Sequence, residues 1–255
     1  MTPRFDLTYG AQPWQRLDLF LPEGAVKGVI VYAHGGGFRK GDRKDPVVPR
    51  LIPSITARNL ALVSVGYRLG AMLSDLPPAM QDTVVTMQRA SRQAGLALSR
   101  NLYGAAFVAA LWDVSAAIAA LRRGQIDPRL AGLPVTLLGN SAGGIIALSL
   151  AHPPRVWAHR LHGPDAVFAV SAAMVQPWCI GAKGPPCRIL IGRTDRIVPP
   201  DDARLAKIAA DKSGADLQLI ETGIAGHNAQ LTALVQGCDP SGRPWMEALL
   251  ALTPA

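Results

Sequence analysis

The sequence predicts an α/β fold in which a mostly parallel sheet carries helices on both faces. Short apolar runs alternate with longer amphipathic runs along the 255 residues, and this alternation is typical of strand–helix–strand units. Most of the short runs carry no charge, as expected for strands that are buried on both faces. Because α/β folds of this length commonly form one unit, we predict a single domain, residues 1–255.

Each predicted element follows from its local pattern. The apolar runs predict strands at 17–21, 28–33, 61–66, 135–139, 166–171, 188–192 and 217–221. The amphipathic runs between them predict helices at 47–58, 78–97, 105–123, 142–151, 201–213, 228–235 and 245–252.

The 70–104 segment does not fit a minimal alternation, because the helix at 105–123 already supplies a full crossover. We predict that this segment is an insertion with an amphipathic helix that begins at Pro77-Pro78. If the strand that ends at Tyr67 points toward the active edge of the sheet, the segment would lie over that edge as a lid or cap. A surface helix with only a packing role fits the same pattern.

Composition and charge exclude several classes of protein. Hydrophobic residues make up 49% of the chain and charged residues 17%, so the chain has material for a large core and is not disordered. The net charge is +8, but the densest basic cluster, at 39–44, alternates with glycine and aspartate and is interpreted as a solvated loop. Since no nucleic-acid-binding motif is present, we expect no nucleic-acid partner.

Signals for export or membrane insertion are weak. Residues 1–9 carry Arg4 and Asp6 and lack the apolar run of a secretory signal. The most apolar stretches, 105–121 and 133–150, are interrupted by polar residues or glycines, whereas a membrane span needs about 20 apolar residues. We therefore expect a cytoplasmic protein without stable membrane association.

The three cysteines, Cys179, Cys187 and Cys238, lack the CxxC spacing of metal sites, and an odd number cannot all pair with one another. We interpret them as buried free thiols and expect no metal. A bridge between Cys179 and Cys187 stays open if the chain is exported.

A GxSxG pattern, Gly139-Asn140-Ser141-Ala142-Gly143, lies between an apolar run and a helix. A nucleophile on such a sharp strand-to-helix turn has a strained backbone, and side chains at the flanking glycines would collide with the neighbouring strand and helix. The helix N-terminus also favours anionic intermediates. The pattern alone is common, and its strand–turn–helix context makes Ser141 the candidate nucleophile.

A second glycine-rich loop, His34-Gly35-Gly36-Gly37, follows the strand at 28–33. Consecutive glycines let backbone N–H groups approach a ligand, as an acyl-transfer enzyme requires for the oxygen that becomes negative, together with the N–H of Ala142. A plain flexible turn and a phosphate cradle are the alternatives. The phosphate cradle fits less well, because the Lys-Ser/Thr pair of a P-loop and the GxGxxG order are both missing.

Asp195 and His227 follow the strands at 188–192 and 217–221. An acid in the first position can hold a catalytic imidazole in the correct tautomer. His227 is the only histidine downstream of Asp195, so it alone completes the order Ser, Asp, His. Asp201 and Asp202 are competing acids, which we interpret as the N-terminal cap of the next helix.

The remaining histidines have simpler interpretations. His152, His159 and His162 lie between the serine and the acid and are interpreted as surface or turn residues. His34 belongs to the glycine loop, which we expect it to brace rather than to transfer protons.

Together these residues resemble the α/β-hydrolase superfamily, specifically the hormone-sensitive-lipase-like esterases and lipases with an HGGG oxyanion loop. The stretch at 66–69, Gly-Tyr-Arg-Leu, and the helix at 109–122 are similar to further parts of that family. The resemblance implies an α/β-hydrolase fold with an eight-stranded sheet. It also implies residue roles, namely a catalytic triad of Ser141, Asp195 and His227 and an oxyanion hole formed by the N–H groups of Gly36, Gly37 and Ala142.

The function predicted from the sequence is a serine carboxylesterase that acts on small to medium acyl esters through an acyl-enzyme, with a small ester as partner and no cofactor. An amide hydrolase of the formamidase or peptidase kind would use the same triad. A non-catalytic binding protein on a hydrolase scaffold and a membrane-surface lipase are further alternatives. With only 5% aromatic residues, a strong interfacial face is disfavoured.

Overall fold

The computed structural model describes residues 1–253. Across these residues the chain forms one eight-stranded sheet and seven α-helices. The strands are β1 Thr2–Thr8, β2 Arg16–Leu21, β3 Gly28–Ala33, β4 Leu60–Val65, β5 Val135–Asn140, β6 Ala166–Val170, β7 Cys187–Gly192 and β8 Leu217–Thr222. The helices are α1 Val48–Thr56, α2 Pro78–Gln93, α3 Ala105–Arg122, α4 Ala142–Ala151, α5 Pro200–Ser213, α6 Ala229–Gln236 and α7 Trp245–Leu252.

The strand order across the sheet is β1-β2-β4-β3-β5-β6-β7-β8. The pairs from β4 to β8 are parallel, whereas β2 pairs antiparallel with both β1 and β4. The order reverses between β3 and β5, where open α/β sheets have a crevice beyond the carboxyl ends of their strands. The predicted fold class, a mostly parallel eight-stranded sheet with helices on both faces, is confirmed.

Burial on both faces explains the uninterrupted apolar runs. All six residues of β3 are buried. Val29 and Val31 enter the core that packs against α2, α3, α4 and α5, whereas Ile30 and Tyr32 enter the core on the other face, against α1, α6 and α7. Successive side chains of a strand point to opposite faces, so a strand between two helical layers must be apolar at every position.

The apolar pattern did not predict β1. This strand lies at the sheet edge, pairs with β2, and shifts its register between Arg4 and Leu7. Its charges bind neighbours rather than interrupt the strand. Arg4 donates to the carboxylate of Asp127 at 2.9 Å, and the carboxylate of Asp6 pairs with the guanidinium of Arg43. An edge strand exposes much of its surface, so its hydrophobic signal is weak.

The 70–104 segment contains α2 and two short 3-10 turns, Leu73–Asp75 and Arg100–Tyr103. Helix α2 ends at Gln93, earlier than predicted, because the chain turns at Gly95 with a φ of 93°. Met87 and Tyr103 are buried in the core that also contains α3 and α4. The segment therefore packs onto the fold, and its role as a lid stays a prediction, as does the single domain.

The interpretation of Asp201 and Asp202 as a helix cap was wrong. Helix α5 begins at Pro200, and neither carboxylate caps it. Asp201 is exposed and pairs with Arg204. Asp202 is buried and accepts the N–H groups of residues 97 and 98 at 2.9 and 2.7 Å, so it anchors the 70–104 segment to α5.

One helical stretch of the described residues, Arg100–Arg122, is long and apolar enough to cross a membrane, and 78% of its most apolar window is buried inside the fold. Such burial is typical of a core helix. The three cysteines are free thiols, of which Cys187 is buried and Cys179 is half-buried. The interpretation as a buried thiol is wrong for Cys238, which is exposed.

Candidate active site

The candidate site residues meet at one edge of the sheet. The loops that begin at His34, Ser141, Asp195 and His227 follow the carboxyl ends of β3, β5, β7 and β8. Strand register aligns these ends, since Ala33 pairs with Gly139. The crevice between β3 and β5 thus lies between the glycine loop and the serine, as expected for ligand sites in this type of sheet.

Ser141 occupies a strained turn between β5 and α4. Its φ of 52° and ψ of −114° are unfavourable for a residue with a side chain. Both flanking glycines are required for space. A Cβ on Gly139 would lie 2.2 Å from the Gly143 carbonyl oxygen, and a Cβ on Gly143 would lie 2.0 Å from that of Ala33. The collisions predicted from the GxSxG pattern are therefore present on both sides.

The structure brings Ser141, His227 and Asp195 together in one line of hydrogen bonds. The Ser141 Oγ to His227 Nε2 distance is 2.8 Å, and the His227 Nδ1 to Asp195 Oδ2 distance is 2.7 Å. All three side chains are largely shielded, with Ser141 7% and Asp195 5% exposed. If Nδ1–H donates to Asp195, Nε2 is left as an acceptor for the serine proton.

Asp195 is held as an anion. Burial raises the pKa of this carboxyl, but hydrogen bonds from His227 and from the N–H groups of Val198 and Ile197 outweigh burial, so the pKa lies below its ordinary value. The two backbone N–H groups approach Oδ1 at 2.9 and 3.0 Å, which leaves Oδ2 for the imidazole. The carboxylate thus faces His227 in a fixed orientation and stays ionised at neutral pH.

The glycine loop packs directly against Ser141. A Cβ on Gly35 would lie 3.3 Å from the Ser141 Cβ. Gly36 and Gly37 have φ values of 112° and 63°, which other residues rarely adopt. Within residues 1–253, neither of their N–H groups donates to a protein acceptor. They are therefore available as donors to a ligand.

His34 braces this loop, in agreement with its interpretation from the sequence. Its ring stacks on Tyr67 with centroids 4.2 Å apart, and the Tyr67 hydroxyl donates to the His34 carbonyl at 2.7 Å. Burial lowers the pKa of His34, so its ring is neutral at pH 7. The sequence carries no local signal of the contact between Tyr67 and the loop, because the two are more than 30 residues apart along the chain.

The other histidines lie outside the hydrogen-bonded line. His152 ends α4, at the opposite end of the helix from Ser141, and contrary to its interpretation as a surface or turn residue it is buried, with its Nε2 3.9 Å from the Cys187 Sγ. The backbone N–H of His162 donates to the hydroxyl of Ser115.

Two cavities border the site. One of about 430 Å³ is lined by Gly35, Gly36, Asn140 and Asn228, the last two next in sequence to Ser141 and His227. Another of about 290 Å³ is lined by Gly37 on one side and by parts of the 70–104 segment on the other. A larger cavity of about 570 Å³ lies between α2 and residues 154–156, and none of the candidate site residues is among the residues that line it.

Two buried polar residues near His227 had not been singled out from the sequence. Ser171 follows β6, and its hydroxyl donates to the His227 carbonyl at 2.6 Å. Gln230, in α6, donates to the Ile224 carbonyl at 2.8 Å. A single polar residue at the end of an apolar run gives no sequence signal of such contacts. No cluster of metal-binding side chains occurs within residues 1–253, and the expectation that no cofactor is needed stays a prediction.

The fold is similar to that of several solved structures. A truncated carbohydrate esterase from gut microbiota matches with a TM-score of 0.69 and 14% identity, over 99% of this chain and 95% of that chain. Thermogutta terrifontis esterase 2, phosphorylated by paraoxon, matches with a TM-score of 0.67 and 18% identity, over 98% of this chain and 91% of that chain. A bifunctional GH43-CE protein of Bacteroides eggerthii matches with a TM-score of 0.70 and 14% identity, over 98% of this chain and 38% of that chain.

At such identities these likenesses show the fold. No curated protein matches the chain. The family model described as alpha/beta hydrolase fold matches residues 30–185, more than half of the chain, and includes the glycine loop and the serine turn. This chain therefore belongs to the α/β-hydrolase fold family.

Proposed function

We propose that this protein is a serine carboxylesterase that hydrolyses small to medium acyl esters through an acyl-enzyme intermediate. The observation that carries the proposal is the line of hydrogen bonds from Ser141 Oγ through His227 to Asp195, with distances of 2.8 and 2.7 Å. A hydroxyl nucleophile, a general base and an orienting acid require these contacts. The names of the structural neighbours, which include esterases, agree with this chemistry.

In the proposed reaction the ester carbonyl oxygen accepts hydrogen bonds from the N–H groups of Gly36, Gly37 and Ala142. Ser141 Oγ attacks the carbonyl carbon while His227 Nε2 takes the hydroxyl proton. The tetrahedral intermediate then collapses, the bond to the alcohol oxygen breaks, and His227 gives its proton to that oxygen. The acyl group is left on Ser141.

The second half of the reaction repeats these steps with water. His227 removes a proton from a water molecule, which attacks the acyl carbon in the same oxyanion site. When the new intermediate collapses, Ser141 recovers its proton from His227 and the carboxylic acid leaves. Asp195 keeps its charge throughout and stabilises the protonated imidazole of each half-reaction.

The size of the substrate is inferred from the space beside the glycine loop. The cavities of about 430 and 290 Å³ flank the glycine loop and fall at or near the lower end of typical ligand pockets. Short and medium acyl chains suit such volumes. The 70–104 segment lines the smaller cavity through Gly70, Met72 and Asn101, so we propose that it limits the acyl or alcohol length.

The proposal is tested with p-nitrophenyl esters of increasing acyl length, beside a formyl amide and a peptide anilide. We expect the short esters to be the best substrates, and Ser141→Ala to lose activity by about a millionfold, as in a well-studied serine protease. The matched control is Ser149→Ala, because Ser149 is a buried serine in α4, the helix that follows Ser141. Retention of more than about a tenth of the activity by Ser141→Ala would reject the serine mechanism. A preference for the amides would reject the esterase assignment.

A further inference from the structure

The turn at the end of β6 joins the loops that hold the nucleophile and the base. The N–H of Ser141 donates to the Val170 carbonyl at 2.8 Å, and the hydroxyl of the next residue, Ser171, donates to the His227 carbonyl at 2.6 Å. Ser171 is itself fixed, because its N–H donates to the Leu190 carbonyl of β7 at 2.8 Å. Two adjacent residues at the end of one central strand, Val170 and Ser171, therefore hold the loops that carry Ser141 and His227.

The loop that carries His227 is flexible by sequence and must be held in place by contacts such as these. It runs from Gly223 to Asn228, contains Gly226 at a φ of 93°, and is largely exposed. Glycines make a loop flexible, whereas a general base must be held in a fixed position relative to the nucleophile. Gln230 holds the beginning of the loop through the Ile224 carbonyl, whereas Ser171 binds the histidine residue itself.

The backbone of Ser171 is strained. Its φ is 49°, a value at which glycine would be unstrained and a residue with a side chain is not. The side chain is fully buried, so the hydroxyl has no role toward solvent. A strained, buried residue whose one polar group contacts the catalytic histidine points to a functional constraint at this position.

We propose that Ser171 is a positioning residue that holds the His227 backbone so that Nε2 stays within hydrogen-bonding distance of Ser141 Oγ. It touches neither the substrate nor the reacting atoms. The inference rests on the proposed serine mechanism, because a held imidazole matters only if it transfers the serine proton.

The test compares Ser171→Gly and Ser171→Ala with wild type and with the control Ser149→Ala. In wild type the hydroxyl of Ser149 lies 3.9 Å from the Met174 sulfur. Glycine suits the positive φ, so Ser171→Gly is expected to stay folded, while Ser171→Ala keeps the strain. We expect both Ser171 variants to lose about 10- to 100-fold in kcat, with KM unchanged within about twofold, since small misplacements of a catalytic group cost up to about 100-fold. Ser149→Ala is expected to match wild type.

A spectroscopic readout separates positioning from general stability. In wild type, the proton between His227 Nδ1 and Asp195 is expected to give a sharp downfield proton resonance, which should broaden in Ser171→Gly and stay sharp in Ser149→Ala. A folded Ser171→Gly with wild-type kcat or an unchanged resonance would overturn the proposal, as would a loss confined to KM. Those results would leave the serine mechanism intact if Ser141→Ala is inactive, so the two proposals fail separately.

Discussion

Replacing Asp195 by asparagine is expected to change the tautomer of the His227 imidazole while leaving the loop in place. Oδ1 of Asp195 accepts the N–H groups of Ile197 and Val198, so in Asp195→Asn the amide oxygen must take this position. The amide NH2 then faces His227 Nδ1, which becomes an acceptor. The ring proton moves to Nε2, where it points at Ser141 and prevents the imidazole from removing the hydroxyl proton.

The expected loss of kcat follows from this change of tautomer. The corresponding substitution in a serine protease lowers kcat about 10⁴-fold, and at about 1.36 kcal/mol per tenfold this is about 5.4 kcal/mol of lost transition-state stabilisation. Because both backbone hydrogen bonds are kept, we expect the melting temperature to change by only a few degrees. The assay is kcat on a short p-nitrophenyl ester at pH 8, with thermal unfolding measured on the same samples.

Asp201→Asn is the matched control, since it removes the same charge from an exposed carboxylate in the first turn of α5. It is expected to keep wild-type kcat. The reasoning is refuted if folded Asp195→Asn retains more than about a tenth of wild-type kcat, or if the Asp201 variant loses as much as the Asp195 variant.

Three further predictions concern folding and stability. Gly143→Ala puts a Cβ 2.0 Å from a backbone oxygen, so we expect unfolding free energy to fall by about 3 kcal/mol in denaturant titration, and an unchanged midpoint would contradict this. Burial lowers the pKa of His152, so below pH 6.5 the unfolded chain binds more protons than the folded chain and stability falls as pH drops; the slope should be smaller in His152→Gln. Asp202→Ala leaves two N–H groups unpaired, at a cost of about 1–3 kcal/mol, and should speed proteolysis of the 70–104 segment, unlike Asp201→Ala.

Much of the fold was predictable because burial on both faces leaves a direct mark on the sequence. The runs at 28–33 and 135–139 are apolar at nearly every position, and both are central strands. The candidate site was predictable for a related reason. Ser141 and the glycine loop must satisfy local backbone requirements, which glycines at fixed spacing record.

The remaining features depend on contacts between distant segments, which local patterns do not record. The charges of the edge strand Thr2–Thr8 have partners far along the chain, such as Asp127, so a local pattern does not reveal them. Asp202 looked like a helix cap, yet its carboxylate binds backbone more than 100 residues away in sequence. Ser171 ends an apolar run like many other serines, and its contact with His227 exists only after the sheet has formed.

Covalent labelling of the nucleophile tests the central claim most directly. The native protein is treated with a fluorophosphonate at neutral pH and digested, and the modified peptide is sequenced by mass spectrometry. We predict a single adduct on Ser141, absent in Ser141→Ala and after denaturation, and formed much more slowly in Asp195→Asn, because the reaction needs a deprotonating imidazole. No labelling of the folded, active protein, or an adduct on another serine that carries the activity, would contradict the account.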